Sequence, residues 1–80
     1  MNVNSLDHYP VISPIKTGIK IKSLMDERNI KVTDLQELFG FSYPQAIYKW
    51  INGLSVPSID HLIVLGRCFN VSIEELIELE

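Results

Sequence analysis

The stretch from Leu35 to Gly53, LQELFGFSYPQAIYKWING, constrains this chain more than any other. Its periodicity predicts a short helix, a tight turn at Gly40, and a second helix ending at Asn52-Gly53. Leu35, Leu38 and Phe39 stand at the i, i+3, i+4 spacing of a buried stripe. Ile47, Trp50 and Ile51 repeat that spacing, with Tyr43 one turn earlier. The opposite face of the second helix carries Gln45, Tyr48, Lys49 and Asn52 at i, i+3, i+4, i+7. One face is apolar. The other offers amides, a phenol and an ammonium, which can read base edges and hold phosphate.

The rest of the chain reads as helix and turn. Met1 to Ile12 has no helical period and is expected to be a flexible N-terminal arm, with the folded domain over 13–80. Ser13-Pro14 is a helix start, a Ser cap followed by Pro at the first helical position, and this first helix runs to about Arg28. A capping box at Thr33-x-x-Gln36 would open helix 2 slightly after Val32, and Ser42-x-x-Gln45 would open helix 3. Ser58 is the expected cap of helix 4, whose core stripe is Ile59, Leu62, Leu65, Gly66 and Phe69. Asn70 can take the left-handed conformation that ends it, and Ser72-x-x-Glu75 is a capping box for helix 5. No run alternates with period two. The expectation is an all-α, compact five-helix bundle with a helix-turn-helix at about 32–51.

The flanking motifs make a resemblance specific. The chain from Thr17 to about Glu78 resembles the Cro/repressor-type, XRE-like helix-turn-helix regulators. The family's small-Ile-Leu pattern in helix 1 appears as Gly18, Ile21 and Leu24. Its helix 2 pattern appears as Leu35, Gln36, Phe39 and Gly40, and its Ile-x-x-Trp-x-x-Gly as Ile47, Trp50 and Gly53. Its C-terminal pattern appears as Pro57, Ser58, Ile59, Leu62, Leu65, Gly66, Phe69, Asn70, Val71, Ser72, Glu75 and Leu76. The resemblance implies a bundle of the lambda-repressor-like type that binds double-stranded DNA. Helix 3 would enter the major groove and two copies would bind as a homodimer on DNA.

Four departures from that pattern stand out. One extra residue, with Pro44, lies between Gly40 and Ile47, so Tyr43, Pro44 or both can hold the first base-reading position, or Tyr43 packs inward. Met25 and Ile51 occupy positions where many members pair an Arg with a Glu, and exchanging both charges together is tolerable. Gln36 stands at a usually small position. Val32 stands where a phosphate-binding Gln is common, which leaves the helix 2 terminus and Lys31 for that task.

Charge runs against the expectation of a basic DNA binder: ten acidic against seven basic residues give −3. The imbalance is local. Val11 to Gly53 carries +2, and Leu54 to the end carries −4. The single cysteine, Cys68, excludes an intrachain disulfide, and with no apolar run of membrane length the chain is expected to be cytoplasmic.

The expected base readers are thus Gln45, Tyr48, Tyr43 and Pro44, and the expected phosphate contacts Lys49, Asn52, Gly53, Lys31 and Ser42. Val64 and Cys68 point away from the helix 4 core stripe and are the expected subunit interface; Ile15 and Ile19 likewise fall off the helix 1 stripe. His8, His61 and Cys68 match no ligand spacing, and His61 is expected on the surface. No activated nucleophile, metal set or phosphate loop is present, so neither enzymatic activity, cofactor, metal nor small-molecule ligand is expected. The expected function is that of a small transcriptional repressor. A protein-interaction module on the same fold, such as an antitoxin or phage accessory factor, is the alternative.

Overall fold

Ser13 starts the first helix as its position in the sequence predicts. Its hydroxyl accepts the Lys16 N–H at 3.0 Å, and Pro14 takes the first helical position. In the computed structural model, which describes residues 10–80, five helices follow: α1 (Pro14–Glu27), α2 (Val32–Phe39), α3 (Gln45–Ile51), α4 (Ile59–Phe69) and α5 (Ile73–Leu76). Ser58 caps α4 through the His61 N–H, and Ser72 and Glu75 form the expected capping box on α5.

Two expected caps do not form. α2 begins at Val32, not later, because Asp34 turns back and its carboxylate accepts the Lys31 N–H at 2.8 Å. A lysine side chain has no acceptor, so only half of a capping box exists there. α3 begins at Gln45 with Pro44 preceding it, and Ser42 caps nothing.

Four helices end in one way. After α1, α2, α3 and α4 a residue with positive φ follows: Asn29 (54°), Gly40 (70°), Gly53 (73°) and Asn70 (58°). In each case the next N–H reaches back five residues: Ile30 to Met25, Phe41 to Gln36, Leu54 to Lys49, Val71 to Gly66, at 2.8–3.0 Å. This Schellman closure satisfies carbonyls that the helix end would otherwise orphan.

The core draws on every helix. Ile21, Leu24 and Met25 of α1 meet Leu35 of α2, Ile47 and Trp50 of α3, Leu62, Leu65 and Phe69 of α4, and Leu76 of α5. Ile51 is half-buried against this cluster, so neither Met25 nor Ile51 presents a charge to it. Two apolar residues of the expected stripes do not enter: Leu38 is 53 % and Ile59 64 % exposed. α1 and α3 approach closely at Gly18, where a Cβ would lie 2.3 Å from the Trp50 carbonyl oxygen. Only a hydrogen fits there. Arg28 joins two helix ends, its Nε donating to the Phe69 carbonyl at 2.7 Å.

Residues Met1–Tyr9 of the expected arm lie outside the described residues, but Val11 and Ile12 do not belong to a loose arm. Ile12 pairs antiparallel with Leu79, through Glu80 N–H to Val11 carbonyl at 2.9 Å and Ser13 N–H to Glu78 carbonyl at 2.8 Å. Thr17, buried on α1, accepts the Glu78 N–H at 3.0 Å. The two ends of the described chain are thereby tied to one another and to α1. Among the described residues no helix is long and apolar enough to cross a membrane.

Candidate nucleic-acid interface

The exposed face of α3 is built on its buried one. Ile47 and Trp50 anchor the helix, at 0 % and 4 % exposure. Trp50 sits in an aromatic cluster with Phe39, Phe41 and His61; Phe39 and Phe41 stack at 5.1 Å and His61 lies 5.4 Å from the Trp50 ring. His61 is therefore half-buried rather than a surface residue, since the extended α2–α3 turn brings Phe41 over it. With the inner face fixed, Gln45, Tyr48, Lys49 and Asn52 all emerge to solvent on the other side.

The turn itself is longer than a minimal one, Gly40 to Pro44. Gln36 braces it: its side-chain N–H donates to the Ser42 carbonyl at 3.3 Å. An amide at that position supplies the support a longer turn lacks. Tyr43, left open between reading and packing, is 71 % exposed and so stands beside the α3 face. Pro44 is half-buried and its carbonyl accepts the Tyr48 N–H. Its carbonyl is committed to the helix.

The residues expected to hold phosphate divide. Lys49, Asn52, Lys31 and Ser42 are exposed. Gly53 is different. Its N–H already donates to the Trp50 carbonyl, and a Cβ there would lie 2.7 Å from the Ile15 Cα. Gly53 is needed for the helix end and for its close seat on α1.

A groove runs between the α1–α2 corner and α3. Lys22, Asp26, Asn29, Lys31, Thr33 and Tyr48 line it, with Met25 in its floor. The fold thus brings Lys31 and Tyr48 together, and adds Lys22 and Asn29, which the sequence did not single out, and Thr33, which it offered only as a helix cap. Their only local signal was polarity; their meeting with Tyr48 is a long-range contact. Lys22 is also paired to Asp26 one turn on. The α2 N-terminus is not a free anion site, because Asp34 already places a carboxylate on it.

Val64 and Cys68 are both half-buried within the chain, and Cys68 packs against the core. Burial pushes its thiol above the ordinary value, with Asp34 adding to the rise. Among the described residues no cluster of His, Cys, Asp and Glu could hold a metal ion.

This is an all-α helix-turn-helix bundle of the DNA-binding class. Residues 20–80 match the family model of the Cro/C1-type HTH DNA-binding domain, more than half of the chain, and the protein belongs to that family. No curated protein and no solved structure gives a significant match. DNA binding of the transcription-regulator type is what this membership supports.

Proposed function

We propose that the protein is a sequence-specific binder of double-stranded DNA that represses transcription by occupying its site. α3 lies in the major groove, α2 spans the backbone, and two copies bind half-sites about one turn (~34 Å) apart. The chain acts in the cytoplasm. The observation that carries this reading is the α3 face, where Gln45, Tyr48, Lys49 and Asn52 are all exposed above a buried Ile47–Trp50 anchor. Gln45 and Tyr48 lie early on that face, where a recognition helix meets base edges. A Gln amide can bond adenine N6 and N7 together. Lys49 and Asn52, nearer the helix end, hold phosphate.

Selection of a preferred duplex from random DNA, followed by anisotropy titrations, tests this. Gln45→Ala is expected to cost about 1–3 kcal/mol on the selected site and little on scrambled DNA. If substitutions at all four positions leave affinity unchanged in folded protein, α3 does not read DNA.

The second reading, a protein-interaction module, is favoured by one feature. Asp34 holds a carboxylate at the α2 N-terminus, where the backbone phosphate of a bound duplex would otherwise sit. Under that reading no duplex is selected, and binding to mixed DNA lacks a steep salt dependence.

A further inference from the structure

Side chains, more than its own backbone, hold the turn between α2 and α3. Phe41 N–H reaches back to the Gln36 carbonyl at 3.0 Å. The next two N–H groups, of Ser42 and Tyr43, donate to no backbone carbonyl among the described residues. Two side chains reach the turn from outside it. Gln36 donates to the Ser42 carbonyl at 3.3 Å. His61 comes from α4 and meets Phe41, with ring centroids 5.5 Å apart and planes at 86°. The same imidazole stands nearly perpendicular to Phe39 at 5.2 Å and tilted against Trp50 at 5.4 Å. One ring of α4 therefore touches the last residue of α2, the turn, and the buried anchor of α3. The His61 backbone is itself fixed by the Ser58 cap, whose hydroxyl accepts its N–H at 3.4 Å. Edge-to-face ring contacts are directional, so they restrict where Phe41 and the backbone that carries it can lie.

We propose that His61 is a positioning residue for sequence reading. Its ring, with Gln36, sets the course of the α2–α3 turn and so the placement of Tyr43 and Gln45 against base edges. The inference rests on the reading of α3 as the helix that contacts DNA. Tyr43 is 71 % exposed and Gln45 is the first residue of α3; both follow Phe41 closely in the chain. An amide that bonds two atoms of one base tolerates little displacement, whereas a lysine is a flexible point charge for phosphate. A turn that shifts therefore costs discrimination between sequences before it costs grip. Lys49 and Asn52 lie further along, beside the buried Ile47 and Trp50, and keep their places without the turn. The contacts of the imidazole are ring on ring, so a phenyl ring can stand in for it.

Anisotropy titrations of the full chain on its selected duplex and on a scrambled one test the proposal. His61→Ala is expected to lower the selected-to-scrambled affinity ratio about tenfold, the loss of roughly one base contact, and to leave scrambled affinity within about twofold. His61→Phe is expected to restore the ratio. Gln36→Ala loosens the turn from its other side and is expected to lower the ratio in the same way; it carries the test if His61→Ala loses its helical circular-dichroism spectrum. A second measurement needs no DNA. Nuclear magnetic relaxation of the backbone amides is expected to show Ser42, Tyr43 and Gln45 gaining mobility in His61→Ala, while Ile21 and Leu65 do not. An unchanged ratio in a folded variant would overturn the proposal and leave the reading of α3 standing. So would an equal loss on both duplexes, turn amides as ordered as in the natural chain, or a ratio that His61→Phe fails to restore. A natural chain that selects no duplex would overturn the reading of α3, and this role with it.

Discussion

α1 and α3 lie against each other across the same seam, yet they show solvent opposite chemistry. α3 exposes Gln45, Tyr48, Lys49 and Asn52; α1 exposes Ile15 and Ile19. The inner faces do not differ in this way, since Ile21, Leu24 and Met25 pack in one core with Ile47 and Trp50. An exposed face is free of packing constraint, so its composition reports what it meets. Polar groups suit a hydrated partner such as DNA, and an apolar stripe suits a dry protein surface.

The strongest test of this contrast removes the seam. Trp50→Ala is expected to cost about 3–5 kcal/mol in denaturant unfolding, a large part of the stability of so small a domain. DNA binding would be lost with the fold. If it survives, the α3 face does not depend on the seam.

Thr17→Val separates the sides of α1. It removes the acceptor of the Glu78 N–H from a site 1 % exposed. A loss of about 1–3 kcal/mol by the same method is expected, with DNA affinity of the folded protein unchanged. Lys49→Ala acts on α3 alone. It is expected to weaken selected and scrambled duplexes alike and flatten the slope of log affinity against log salt by about one unit.

The smallest effect concerns α4. With its thiol held above the usual 9.0, Cys68 is less ionised in the fold than in the unfolded chain. Native protein should therefore react with a thiol reagent more slowly than unfolded protein at mildly alkaline pH. Asp34→Asn should raise the native rate. The sign for stability follows: an acid whose folded value is raised contributes least at high pH. Its share is lost as pH rises through the ordinary thiol range, where only the unfolded chain ionises.

Much of the fold was legible in the sequence because it rests on short-range rules. Ser13, Ser58 and Ser72 cap where they stand, and Asn70 closes α4 as its residue type suggests. The failures are equally physical. Thr33-x-x-Gln36 and Ser42-x-x-Gln45 satisfy the capping pattern, but Asp34 took one helix start and the longer turn displaced the other. Helical phase assigned Leu38 and Ile59 to the core, yet each stands near the end of its helix and is exposed. Of the candidate site, the α3 face was readable from its i, i+3, i+4, i+7 spacing. The groove that unites Lys22, Lys31 and Tyr48 was not, since those residues meet only across three helices.

The sequence by itself determined the helices, their order, the apolar core that joins them and the polar identity of the α3 face. Those depend on propensity, capping and periodicity, which act within a few residues. Only the tertiary structure decided that Gly53 belongs to the α1 contact, that Cys68 packs against the core, and that Val11 and Ile12 pair with the C-terminal end. Each of these turns on which helix lies opposite, and contacts between distant residues carry no period along the chain.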